Sequence, residues 1–312
     1  MADSNNMSDL WKRLRFVLIG IIVYRIGTHI PIPGIDPQRL SSLFDQNQGT
    51  ILELFNLFSG GALERMSIFA LNVVPYISAA IIMQLFSNSI PYLIELKKDG
   101  QAGRNAITQY TRYGTVLLAF IQASALAVTL SSGGLAYNPG TAFFVSAVFS
   151  VVAGTIFLMW LGEQISERGI GNGISIIIAT SILTGIPSAI GQALEQARQG
   201  DLNILMLLSI GVLAMVVIAV VVFIERGQRR ITVNYAQRQQ GRKLMQAQAS
   251  HLPFKVNMAG VIPAIFASTF LLFPASLSTW FGQGENFGFL QSISLALNPG
   301  QPLYVLTFAA LI

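Results

Sequence analysis

Long apolar runs alternate with short polar stretches along the whole chain. A helix needs about 17–25 mostly apolar residues to cross a bilayer. Seven runs qualify: 16–32, 72–94, 114–132, 142–162, 173–192, 203–224 and 258–280. An eighth starts near Pro302 and reaches Ile312 after only eleven residues, which reads as a span cut short in a piece of a longer protein. No fixed short repeat and no low-complexity tract interrupts the series. The pattern predicts an all-α, polytopic membrane helix bundle.

Composition agrees. Of 312 residues, 53% are hydrophobic and 11% charged, against roughly 25% charged in soluble domains. Mean hydropathy is +0.59. The first run follows Lys12, Arg13 and Arg15 as a signal peptide would, but YRIGTHIPIPG follows it rather than a small-residue cleavage site, so a retained span is expected. With the N-terminus inside, fifteen of the nineteen Lys and Arg fall on inside segments; Arg39, Arg65 and Arg198 fall outside, and Arg25 lies in the outer part of the first span. This is the positive-inside bias. It accounts for the net charge of +5 without a nucleic-acid partner. Two inside segments, 95–113 and 225–257, are longer than topology demands. The second carries Arg226, Arg229, Arg230, Arg238, Arg242 and Lys243. It reads either as a solvated loop or as a docking surface for an acidic cytosolic partner, ribosomal RNA included.

Chemistry of the usual kinds is missing. Cysteine is absent, so neither a disulfide framework nor a thiolate metal site exists. His29 and His251 are the only histidines, no nucleophile–base arrangement stands out, and no catalytic residue, metal or cofactor is expected. Arg25 and His29 stand four apart near the outer end of the first span: a local pairing, or a relay with no carboxylate at depth. Glu163 and Glu167 beside Arg168 read as an interfacial charge pair. GIGNG at 169–173 lacks the Lys-Ser/Thr tail of a phosphate loop and reads as a tight turn. Gln84, Gln122 and Asn257 place amides toward inner ends of spans, as interhelical glue or as a breakable polar cluster.

One stretch does not look like a span. FSGGALERMSIFALNVVPYIS at 58–78 opens on a Gly-Gly hinge, carries Glu64 and Arg65, and meets Pro75, suited to starting a helix. Irregular backbone at membrane depth is tolerated only inside protein or a water-filled cavity. A half-helix dipping into a cavity is expected, with an amphipathic surface helix as the alternative. Val73 and Ile77, Ile174 and Ile178 each share a helical face at a spacing of four, and Ile265 follows Pro263. These are either packing residues or a hydrophobic constriction that gates by excluding water.

The chain resembles the SecY family of protein-conducting channels. The matching stretches are RIG and IPIPGID within 25–36, LFSGGALERMSIFAL at 57–71, PYISA at 75–79, QYTRYGT at 109–115, LMWLGEQISERGIGNGISIII at 158–178, QARQGDL at 196–202, ERGQRRI at 225–231 and LPFKVNMAGVIPAIFAS at 252–268. The resemblance implies a clamshell of two inverted five-helix halves, 1–200 here and an incomplete 201–312. It implies a plug at about 58–70, comprising Phe58, Ser59, Gly60, Gly61, Ala62, Leu63, Glu64, Arg65, Met66 and Ser67. Val73, Ile77, Ile174, Ile178 and Ile265 match its pore ring, Val73 standing where isoleucine is usual. Gln84, Gln122 and Asn257 fall on its lateral-gate polar cluster, and the basic loop on its docking site. Implied partners are SecE and SecG subunits, the SecA ATPase, the ribosome, signal sequences and nascent chains, and membrane lipids. The implied place is the bacterial plasma membrane with the N-terminus cytoplasmic, and the implied activity is passage of unfolded chains without any enzymatic step. A secondary transporter with a re-entrant helix is the alternative, and it requires a buried coupling carboxylate that the spans lack. A structural scaffold would leave the glycine-led segment unexplained.

Overall fold

The computed structural model describes residues 2–37, 39–40, 56, 59–200, 203–233, 239–240, 243–244, 250–257, 263, 267, 271 and 301–312. Its helices are α1 (Ala2–Gly27), α2 (Val74–Ser89), α3 (Pro91–Lys98), α4 (Gln101–Ser132), α5 (Thr141–Arg168), α6 (Gly173–Gln199), α7 (Ile204–Arg226) and α8 (Pro302–Leu311). Chain contacts form two units, one of 1–188 with 268–310 and one of 189–267 with 311–312. Among the described residues, α4, α5, α6 and α7 are long and apolar enough to cross a membrane, and the bent pair α2–α3 adds a fifth candidate.

Prolines correct two of the expected boundaries. The run 16–32 is helical only to Gly27, and the chain goes on through a bridge at Pro31 and a turn at Pro33. The run 72–94 is not one straight span: α2 ends at Ser89, Ile90 is extended, and α3 leaves at 94°. Pro91 forces this, because it disfavours helical geometry at the residue before it. The inside segment 95–113 is largely helix, since α3 runs to Lys98, α4 begins at Gln101 and its polar first turns continue outside the apolar run.

Small side chains set the packing of the first unit. Thr111, Thr115, Ala119, Ala123 and Ala127 recur every fourth residue on the buried face of α4, which packs on α2 and α5. Such a stripe lets helix backbones approach closely where lipid offers no hydrophobic drive. The threonine hydroxyls give their hydrogens to their own helix: Thr111 to Ile107 O at 2.9 Å and Thr115 to Thr111 O at 2.7 Å. Neither is therefore left unsatisfied in an apolar setting. Two apolar clusters result. One gathers Leu63, Met66 and Ala70 with Ala123, Ala127, Val148 and Val151. The other gathers Ala62, Phe69 and Val73 with Tyr24, Leu158, Ile165 and Ile177.

The GIGNG stretch is the expected turn. Asn172 Oδ1 accepts from the Ile174 and Ser175 amides at 3.0 and 3.4 Å, capping α6. Glu163, expected to pair beside Arg168, instead meets Arg112 of α4.

In the second unit α7 exposes its apolar side chains all round. The basic segment after it is not simply a loop. β1 (Gln228–Val233) pairs antiparallel with β4 (Ser250–Lys255), and β2 (Gln239–Gln240) with β3 (Lys243–Leu244).

Candidate functional site

The glycine-led segment sits at the centre of the first unit. From Gly60 to Val73 it forms successive turns, not the expected half-helix. Left-handed backbone at Gly60, Gly61, Met66 and Asn72 accounts for this (φ +67°, +79°, +41° and +49°), because such φ values do not propagate a right-handed helix. Gly60 has a second reason to be glycine: a Cβ there would stand 3.0 Å from the Ser181 backbone. Ile32 N donates to Met66 O at 2.8 Å, and Ile68 N to Ile30 O at 3.0 Å. The segment is thereby clipped to the chain that follows α1.

Apolar packing holds the rest. Ala62, Met66, Phe69 and Ala70 are buried. The Phe69 ring lies between Tyr24 and Phe157, centroids 6.1 and 5.9 Å away and nearly parallel. Gly154 of α5 admits the Ile68 carbonyl where a Cβ would collide with it.

Polar bonds fix its ends. Tyr24 Oη donates to Ser59 O at 3.1 Å and lies 2.6 Å from Ser181 Oγ. Asn72 Nδ2 donates to the same Ser181 Oγ at 3.1 Å. Arg25 donates to Gly60 O, 35 residues along the chain, at 3.2 Å. Arg65 Nη1 and His29 Nε2 stand 3.0 Å apart. Guanidinium only donates, so Nε2 accepts and the ring proton sits on Nδ1, which then donates to Arg25 O at 2.9 Å.

Of the expected constriction, Val73 is buried, and Ile77, Ile174 and Ile178 pack partly buried against the same cluster, which also holds Ala62, Ile68 and Phe69. The structure thus brings four of the five ring candidates together at one apolar cluster. Ile265 and Phe58 lie outside the described residues. Ser59 and Ser67 are buried, Gly61 and Leu63 line the same turns, and Glu64 and Arg65 face outward. Asn56 binds Glu64 through Nδ2 at 3.0 Å.

The three amides differ in setting. Gln84 is exposed on α2 and Gln122 half-buried on α4. Asn257, in the second unit, donates to Glu225 Oε2 at 3.3 Å. Arg226, Arg229 and Arg230 are exposed at the end of α7 and on β1. Neighbouring strand residues point to opposite faces, so Arg229 and Arg230 diverge. Arg238 and Arg242 lie outside the described residues, as does the side chain of Lys243.

The family model for SecY matches residues 67–312. The chain is 62% identical over 308 residues to the protein translocase subunit SecY of Pseudomonas aeruginosa, covering 99% of this chain and 70% of that one. The chain belongs to the SecY family. It is 59% identical over 315 residues to SecY of Escherichia coli, covering 71% of that protein. The fold matches two solved structures. One is a protein-conducting channel (TM-score 0.62, 20% identity, 86% of this chain). The other is a SecY protein whose plug domain stabilises the closed state of the translocation channel and maintains a membrane seal (TM-score 0.63, 20% identity, 88% of this chain). The chain spans 59% of the length of each. SecY proteins are membrane-embedded, non-enzymatic translocase subunits with a channel fold, and this chain carries that fold.

Sequence reasoning found the segment but missed Tyr24, Asn72 and Ser181. A tyrosine, an asparagine and a serine in apolar surroundings were the available signal, since each needs a partner when buried. Their shared partnership is invisible until three elements pack.

Proposed function

We propose that the chain forms the N-terminal wall and the seal of a protein-conducting channel for secretion across, and lateral insertion into, the bacterial inner membrane, with its N-terminus cytoplasmic. In this reading residues 1–200 are one half of the clamshell and 201–312 belong to the other. The segment from Phe58 to Ser67 and on to Ala70 is the plug. Val73, Ile77, Ile174 and Ile178, with Ile265, form the ring. The carrying observation is that these four described ring residues pack in one apolar cluster with Ala62, Ile68 and Phe69 of the turn segment. An apolar ring offers a passing chain no specific bond and expels water when empty, so it is both permissive and tight.

Gln84, Gln122 and Asn257 line the lateral gate and set how apolar a signal sequence must be to open it. SecE and SecG complete the complex. SecA or the ribosome docks on Arg226, Arg229, Arg230, Arg238, Arg242 and Lys243. A neighbouring fold occurs in a canine ribosome–channel complex from the endoplasmic reticulum, which supports the docking reading. The native chain has no cysteine, so crosslinking tests the path directly. Ile77→Cys or Ile178→Cys goes into the full-length protein with its partner subunits, and a second cysteine into a stalled secretory chain. Disulfides at both positions, with none at the lipid-exposed control Leu117→Cys on α4, are expected. Engaged substrate without a crosslink at either position makes the isoleucines packing residues and refutes the pore assignment.

A further inference from the structure

Both ends of the turn segment converge on one buried pair of hydroxyls. Tyr24 comes from α1 and Ser181 from α6, 157 positions apart, and their oxygens are 2.6 Å from each other. Ser59, at the start of the segment, offers its carbonyl to Tyr24 at 3.1 Å. Asn72, at the end of the segment, donates to Ser181 at 3.1 Å. All four residues are at most 2% exposed. Ser181 Oγ also lies 2.9 Å from Ile177 O, so the Tyr24 and Ser181 hydrogens are shared among the Ser59 carbonyl, the 2.6 Å pair and the Ile177 carbonyl, and with the Asn72 amide they form one buried network.

We infer that Tyr24 and Ser181 are positioning residues that latch the resting plug, holding its start and the turn that follows it to α1 and α6 and setting the work needed to displace it. The inference rests on the channel reading above. Moving the segment breaks the bonds to Ser59 and Asn72 together, while the Tyr24–Ser181 bond stays behind. Unstacking Phe69 from the Tyr24 ring adds to the same barrier. A purely apolar plug would slide in small steps, whereas this arrangement releases as a unit.

The test uses the full-length channel with its partner subunits, reconstituted in vesicles. Resting ion leak is read together with the translocation ratio of a signal-defective to an intact secretory substrate. Tyr24→Phe and Ser181→Ala are each expected to raise the leak about fivefold, the effect of one net hydrogen bond, and to raise the ratio. The double variant should fall short of the product, because the two hydroxyls are bonded to each other and each variant already weakens the other's hold. Leu93→Ala, which truncates a buried side chain of α3 that belongs to neither apolar cluster, should lower stability with no rise in leak. If Tyr24→Phe accumulates poorly, Ser181→Ala breaks the same bond from the other side. Deletion of residues 59–67 separates the two ideas. Leak from the deletion but not from either hydroxyl variant overturns the latch and leaves the channel reading standing. No leak from the deletion overturns the plug itself, and the latch with it.

Discussion

Arg112 grips Glu163 with two parallel bonds, Nε to Oε1 and Nη2 to Oε2, each 2.8 Å long. The pair joins α4 to α5 at the end of both apolar runs. Glu163 is 20% exposed and Arg112 44%, so solvent screens part of the attraction. Fork-to-fork geometry compensates by fixing both side chains at once. Arg112→Ala is expected to cost about 1 kcal/mol, and a double-mutant cycle with Glu163→Ala should return most of it as coupling. Arg112→Lys should recover less than half, because an ammonium cannot reproduce the fork. Thermal unfolding of the purified protein in detergent reads all four variants. Full recovery by lysine would show that charge alone holds the helices.

Gly154 and Gly191 should respond oppositely to the same methyl group. At Gly154 a Cβ runs into the Ile68 backbone carbonyl, which has no rotamer to escape through; at Gly191 a Cβ meets nothing within 4 Å. Gly154→Ala is expected to destabilise by about 1–3 kcal/mol and to make the 59–73 segment more accessible to protease. Gly191→Ala, within α6, should be neutral or stabilise by up to about 1 kcal/mol through better helix propensity. Melting temperatures of the two variants, read side by side, decide it. A neutral Gly154→Ala would mean that α5 moves away from Ile68 at little cost.

The Phe69 ring fills the space between Tyr24 and Phe157 and is 3% exposed. Phe69→Ala is therefore expected to cost about 3–5 kcal/mol, the range for a buried aromatic truncated to a void. Phe69→Leu keeps most of the volume but not the stacking, and should cost about half. Guanidinium or urea midpoints on the detergent-solubilised protein give the comparison. Equal loss for both variants would assign the energy to stacking rather than to filled volume.

Much of this was legible because period and composition act locally. The apolar runs at 142–162 and 203–224 sit inside α5 and α7 almost end to end, since a span must satisfy its own backbone. The glycine-led segment announced itself through Gly60, Gly61 and Pro75, whose conformational limits hold in any fold. Its turns were not legible, because methionine rarely adopts the left-handed backbone of Met66, and asparagine, which tolerates it at Asn72, adopts other conformations as readily. The pairings Arg112–Glu163 and Tyr24–Ser181 depend on helices far apart in sequence. Residue type shows that each needs a partner, and only packing shows which. The β1–β4 hairpin was hidden for a related reason: its strands are separated by sixteen residues, and charge along QRRITV masks the alternation that marks a strand.

The hairpin offers the clearest test of the docking reading. Arg229 and Arg230 are exposed and, as strand neighbours, project from opposite faces of β1. If a single flat partner surface is met, only one of them touches it. Arg229→Glu and Arg230→Glu are therefore expected to weaken association with SecA or ribosomes unequally, one by about tenfold at low salt and the other by about twofold or less. The larger effect should shrink toward wild type as ionic strength rises past about 0.3 M, where screening length falls well below 10 Å. Sedimentation or surface-plasmon binding on the full-length complex measures both slopes. Equal losses from the two reversals would mean that the partner wraps around the hairpin and reads both faces, and a loss insensitive to salt would mean that the reversals disturb the hairpin rather than the contact.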